Sequence, residues 1–390
     1  MNDRRAFSLI NIIRNIVSIY FDTFFAIYFF NLTNYAVFPI ALYYFLVYSF
    51  LLLSFWLIRK TIYLKYKVSY YRIGLALMAL YLSTIMLLKE NIIHYIYLVA
   101  ALKGLSEGFY YYPRNILNSD KISNKERKHY DGIMNAINQI SSILVPLILG
   151  VLLNSYTYIE IGKVVFALMI LIFLLSFYVK EKDKKTERIK TISFYKMISS
   201  NKDIMLAFKI QFLRGFTIAS GVLTAVMMIY KIIYFKNNLS IGILNSILGL
   251  LTFLSSLFYA RNKKNSLLNK MNFITLFFTV ISLILLFVNP NDLAFFIYLI
   301  IYAIGITIIS LLCDKITTDA SNIEIVLDHK AEYHLLLETA LGISRIGGYL
   351  VLLLVSIFGN VELLKYFLLF SIVPIIVLVL NIRGYLVMKK

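Results

Sequence analysis

Apolar runs of about 20 residues recur along the whole chain, and polar residues gather between them. A run of that length crosses the hydrocarbon core as a helix, which satisfies its own backbone hydrogen bonds. The pattern predicts about twelve spans. They lie near 8–31, 36–58, 71–89, 91–113, 131–155, 160–179, 204–231, 239–260, 270–288, 292–313, 332–358 and 362–386. The expected fold class is an all-α membrane protein.

The connecting segments alternate in character. RKTIYLKYK (59–67), NSDKISNKERKH (118–129), KEKDKKTERIK (180–190) and RNKKNSLLNK (261–270) are basic. NLTNY (31–35), KEN (89–91), NSYTYIE (154–160), FKNNLS (235–240), NPND (289–292) and GNVE (359–362) are short and nearly uncharged. Basic loops stay cytoplasmic, so both termini, with Arg4, Arg5, Lys389 and Lys390, are expected inside. The segment 314–330 mixes Asp314, Asp319, Glu324 and Asp328 with Lys315 and Lys330, and acidic residues weigh little in that rule. The polar stretch 180–202 divides the spans into an N-terminal bundle (1–179) and a C-terminal bundle (203–390). It reads as a surface connector, in part helical.

Composition agrees. The chain is 60% hydrophobic and 15% charged, against about 45–50% and roughly 25% for a soluble domain. The formal charge of +19 sits in the loops between apolar runs, which argues against nucleic acid as a partner. Basic residues precede the first run and no small-residue cleavage site follows it, so that helix is expected to be retained. The single cysteine, Cys313, forms no internal disulfide.

Polar residues inside the spans form stripes that repeat. Asn11, Asn15, Ser18 and Asp22 share one face of the first span; Arg214, Thr217, Gly221 and Thr224 share one face of the seventh. A shift of 199 carries Asn15 onto Arg214. A shift of 200 carries Lys103, Glu107, Tyr110 and Arg114 of the fourth span onto Ala303, Thr307, Ser310 and Asp314 of the tenth. A shift of 203 carries Asp131, Asn135, Asn138 and Ser142 of the fifth onto His334, Glu338, Leu341 and Arg345 of the eleventh. Similar offsets point to a duplicated six-helix unit.

Twelve spans, inward termini, a six-plus-six division and a central cytoplasmic loop resemble the major facilitator superfamily. The resemblance implies that spans one, four, seven and ten line a central cavity, flanked by two, five, eight and eleven. The polar stripes fall on these sets. The loop WLIRKTIYLKYKVSYYRIG (56–74) keeps the basic residues of the family's loop between helices two and three, but lacks its acidic residue and most of its glycines. ILVPLILG, with Pro146 and Gly150, is a fragment of the Gly-Pro-rich motif of the family's drug antiporters. The stretch 113–139, with Pro113, Asn115, Asp120, Arg127 and Asn135, is similar to the four–five junction of bacterial efflux-type members.

Charges within a span are expensive and usually face an interior or aqueous cavity. Asp22, Lys103 and Arg345 fall near mid-span; Arg14, Glu107, Lys209, Arg214 and Glu338 lie in the inner halves. Asp22 is the candidate for proton coupling or substrate contact, or else a static partner of Arg14 or of a cation on another helix. Lys103 and Glu107, four residues apart, either neutralise each other or face a cavity, where Glu107 exchanges a proton or Lys103 holds an anionic group. Arg114 reads as an interfacial anchor. Arg214 and Arg345 stay charged and need an anion, from Asp22, Glu107 or Glu338 at rest and from substrate in transport. Glu338 and Arg345, seven apart, also fit an internal pair. Asn15 and Asn135 are secondary candidates. FYYYP (109–113) reads as an interfacial belt. His94, His129, His329 and His334 have no metal-ligand spacing, and no cofactor is implied.

The leading function is a proton-coupled secondary transporter of a small molecule, monomeric, in a bacterial plasma membrane, with efflux slightly favoured. No phosphate-binding loop of the Gly-x-x-x-x-Gly-Lys-Ser/Thr type occurs, which argues against ATP drive. The competing classes are a polytopic lipid enzyme built on 314–330 and a non-transporting sensor with a transporter fold.

Overall fold

The computed structural model describes residues 2–33, 36–59, 61, 66–122, 124–181, 191–217, 222–262, 265–327, 329–358 and 364–388. Gly221, Asp328, Lys389 and Lys390 lie outside them, as do the side chains of Asp120, Arg127, His129 and Asp131. Among the described residues the regular structure is helical throughout. Eleven helices among the described residues are long and apolar enough to cross a membrane. The fourth span, Ile96–Lys121, has the length but carries Lys103, Glu107 and Arg114, which lowers its apolarity below the others. With it, the helices match the twelve expected spans.

Several helices outrun their apolar cores. The tenth continues from Asp292 to Ser321, so Asp314 and Asp319 stand on a helix rather than in a loop. A short helix, Glu324–Leu327, follows. The short uncharged loops supply the caps. Thr157 and Glu160 form a reciprocal capping box at the start of the sixth span. The side chains of Asn237 and Asn291 accept from the backbone N–H of Ser240 and Ala294 (2.6 and 2.8 Å). Each satisfies a donor that a helix start leaves open.

Two seams join the halves. The second span (Val37–Ile58) packs on the eleventh (Lys330–Phe358), and the fifth (Asn124–Ser155) packs on the eighth (Asn238–Arg261). The first seam is aromatic. Tyr349 stacks on Tyr44 and on Tyr48, each with ring centres 5.3 Å apart. The second is built on small residues. A Cβ on Gly242 would stand 2.6 Å from the Pro146 carbonyl oxygen, and one on Gly249 would stand 2.6 Å from that of Ser142. Such close backbone approach is how helices associate without a hydrophobic drive.

The connector is anchored at both ends. Asp3 receives Lys121 Nζ at 2.7 Å and the Lys180 backbone N–H at 3.0 Å. Arg72 donates to the carbonyls of Ser176 and Val179. Downstream, the helix Thr191–Ile198 buries Phe194 and Ile198 against Ile204, Phe208, Val326 and Tyr333. The expectation of partial helicity agrees with this helix, and its inner face is packed rather than free.

Candidate functional site: a charged cluster on the first and fourth spans

The first and seventh spans are the most buried of the apolar eleven. In the first span (Asp3–Leu32), the α-helix gives way to a π-helical turn at Tyr20–Phe25, then resumes. A π turn inserts one residue and redirects the side chains around it, a device frequent at functional sites. Asp22 sits in this turn. Phe21, Phe24 and Phe25 are buried, whereas Asp22 is exposed. It forms no hydrogen bond or ion pair with the described residues. Arg14, Lys103 and Glu107 are nonetheless within electrostatic reach of it.

Glu107 is the hub of a buried triad. Its Oε1 lies 2.7 Å from Lys103 Nζ, one helical turn away, as an ion pair, and accepts a hydrogen bond from Arg14 Nη2 at 3.2 Å on the first span. Arg14 is 3% exposed and Lys103 6%. Rings complete the coordination of the cations. Arg14 lies over Tyr110 and Tyr111, and Lys103 Nζ lies 4.7 Å from the centre of Phe21. Negative ring faces favour a cation that water cannot reach. Two cations against Glu107 and Asp22 bring this part of the molecule to formal neutrality.

The alternatives left open by sequence now separate. Arg14 pairs with Glu107 rather than Asp22. Lys103 and Glu107 do bond along one face, within a triad rather than as an isolated pair. Arg114 is tied to the first span: its Nε donates to Asn11 Oδ1 at 3.2 Å, beside the Tyr110 hydroxyl at 2.9 Å. Arg214 takes Asp314 as its partner (2.7 Å), with Ser310 at 3.1 Å, instead of Asp22, Glu107 or Glu338. Glu338 makes no bond with the described residues, so the internal Glu338–Arg345 ion pair is absent; both Arg345 and Arg214 are within its electrostatic reach. Asn15 is half-buried beside this face; its backbone carbonyl accepts from the Ser18 hydroxyl, and its side chain makes no hydrogen bond among the described residues. Asn135 is exposed on the fifth span and joins none of these contacts.

Arg345 links the cluster to the other half. Its guanidinium lies 4.9 Å from the centre of Tyr48, within the Tyr44–Tyr48–Tyr349 stack, and Glu107 feels its charge. Asp22 is likewise within electrostatic reach of Tyr44 and Tyr349. An exposed carboxylate, a triad of two cations around one carboxylate and a cation on the opposite half thus lie within electrostatic reach of one another, beside the Tyr44–Tyr48–Tyr349 stack. Sequence reading missed these tyrosines because, singly, they look like core. The one available signal was their spacing: Tyr44 and Tyr48 share a helix face.

The fourth and tenth spans make comparable contacts, each to the span three before it. Tyr110 and Arg114 of the fourth span reach Asn11 of the first. At an offset of 200, Ser310 and Asp314 of the tenth span bond Arg214 of the seventh, beside Gln211. The fourth- and tenth-span positions correspond at that offset, with Arg114 replaced by Asp314, while Arg214 stands 203 residues after Asn11, about one helical turn beyond Gln211.

No curated protein matches the chain in sequence. Solved structures match its fold end to end. A nucleoside transporter, NupG, aligns with TM-score 0.67 at 12% identity over 98% of this chain and 99% of its own. A bacterial homologue of the iron transporter ferroportin, in an outward-facing state, gives 0.67 at 12% over 99% of each. A bacterial metal transporter gives 0.61 at 12% over 99% and 98%. The family profile of the Major Facilitator Superfamily matches residues 23–323. The chain therefore belongs to the Major Facilitator Superfamily and is a multi-pass membrane transporter of a small-molecule substrate, not an enzyme.

Proposed function

We propose that this protein is a secondary active transporter that works by alternating access, coupled to protons, with Asp22 as the proton-exchanging group. The observation that carries the reading is the contrast between two carboxylates. Glu107 is clamped by two cations at 2.7 and 3.2 Å. Asp22, within electrostatic reach of the same cations, is open to solvent and unbonded among the described residues. A group that must gain and lose a proton needs access and freedom from a fixed partner; a group that holds structure needs neither. On this reading Arg14, Lys103 and Glu107 set the local charge. Arg345 and the tyrosine stack couple that charge to the other half.

The frame of the proposal includes two six-helix units, 1–179 and 203–390, joined by the connector 180–202. It places both termini in the cytoplasm of a bacterial plasma membrane, with the protein acting as a monomer and efflux as its direction. Basic loops on one side support the orientation. The four–five junction, with its similarity to efflux-type members, supports the direction.

A thermal-shift screen tests the site. Purified protein is scanned against drugs, lipids, peptides and organic anions across pH, then repeated on Asp22→Asn and Lys103→Gln. Ligands that bind the folded state raise its apparent stability by mass action. A hit lost in either folded variant supports the cluster as the substrate site. Hits indifferent to both variants would remove it.

A further inference from the structure

The second half of the seventh span, Val222–Phe235, is packed on nearly every side. From Val222 to Ile232 only Thr224, Met228 and Lys231 are not buried. Their gaps of four and three place them on one stripe of the helix. A stripe facing lipid would be apolar, as it is on the eighth span, where Ile243, Ile247, Leu250 and Leu254 are among the exposed residues. Here it holds a threonine and a lysine on one of the two most buried spans.

Lys231 does not behave as an interfacial lysine. It lies four residues before Phe235, close enough to the helix end to extend outward to water. Instead its Nζ turns to the eighth span and donates to Asn245 Oδ1 at 2.7 Å. No carboxylate pairs with it among the described residues. Three other intramembrane cations have a carboxylate partner. Arg14 and Lys103 have Glu107, and Arg214 has Asp314. An ammonium carries three donors, and a neutral amide oxygen uses one without balancing the charge. A half-buried cation held in place by a neutral partner is suited to an anion that comes and goes.

We infer that Lys231 and Asn245 form an oxyanion subsite on the solute route, toward the end of the molecule with the short uncharged loops. It takes a carboxylate or phosphate group of the transported solute. The ammonium supplies the charge, and the Asn245 amide holds it in position. The inference rests on the transporter reading for the identity of the solute, and not for the binding itself.

Acetylation of lysines by an N-hydroxysuccinimide ester tests it, on the purified full chain in lipid-free detergent. The rate at Lys231 is read by mass spectrometry in inorganic phosphate and in chloride of equal ionic strength. Lys365, seated over Phe287, is the internal control. Phosphate is expected to slow Lys231 about tenfold at roughly ten times its dissociation constant, by mass action, and to leave Lys365 unchanged. Asn245→Asp places a permanent carboxylate beside the ammonium and should abolish the protection with the fold intact. Equal rates in both salts, including no reaction in either, overturn the subsite. So does protection that persists in Asn245→Asp, or that appears only when micelles contain phospholipid, which would make the site a headgroup contact. Protection in a chain that transports nothing supports the subsite and removes the transport reading. Proton coupling lost in Asp22→Asn, with no protection at Lys231, does the reverse.

Discussion

Replacing Glu107 by Gln keeps the shape of the triad and removes its only carboxylate. Arg14 and Lys103, at 3% and 6% exposure, would then face each other without a fixed counter-ion. Asp22 is within electrostatic reach but bonds neither, so it softens the loss without replacing the pair. Breaking a buried pair by removing one partner costs about 3–5 kcal/mol. At about 2 °C per kcal/mol for a large domain, the melting temperature should fall by roughly 6–10 °C. Lys103→Gln is the comparison. It leaves the Arg14–Glu107 bond in place and removes one buried cation, so its effect should be well under half as large. The double variant Glu107→Gln/Lys103→Gln should recover part of the loss, because only Arg14 is then unpaired. Thermal unfolding followed by tryptophan-independent scattering in detergent measures all three. A Glu107→Gln shift no larger than that of Lys103→Gln would refute the assignment of Glu107 as the structural hub.

Other consequences concern the seams and the outlying pairs. Gly242→Ala should lower stability by about 1–3 kcal/mol, since its Cβ would stand 2.6 Å from the Pro146 carbonyl and part the fifth and eighth spans; the same thermal assay reads it. Tyr349→Ala removes two stacked contacts, each worth about 0.5–1.5 kcal/mol beyond area, and should reduce transport more than Tyr349→Phe in reconstituted vesicles. Asp314→Asn should cost under about 1 kcal/mol, because that carboxylate is 56% exposed although it pairs with Arg214; a loss above that would mean the tenth-span contact is shielded.

Much of the fold was legible in the sequence, because spans of apolar residues and loop charge are written in composition. The twelve spans, the fourth included, stood out before any contact was known. Helix ends were less legible. The tenth helix runs on to Ser321, since a helix can continue into water where charge ceases to be costly. Of the site, charge and depth gave away the triad residues, and their i, i+4 relation gave the Lys103–Glu107 contact. The partners of Arg14 and Arg214 were hidden, because they depend on which faces of different spans meet. The π turn at Asp22 left no sequence signal, as it is one extra residue among apolar neighbours. Lys231 was overlooked inside the apolar run AVMMIYKIIYF, where its meaning comes from Asn245 on the next span.

Proton movement into reconstituted vesicles reaches the central claim most directly. A lumenal pH dye reports proton flux when solutes from the binding screen are added under an imposed pH gradient. Solute-dependent flux in the wild type, lost in Asp22→Asn at an unchanged melting temperature, is the expected result. Equal flux in the two proteins would contradict the assignment of Asp22 as the coupling group.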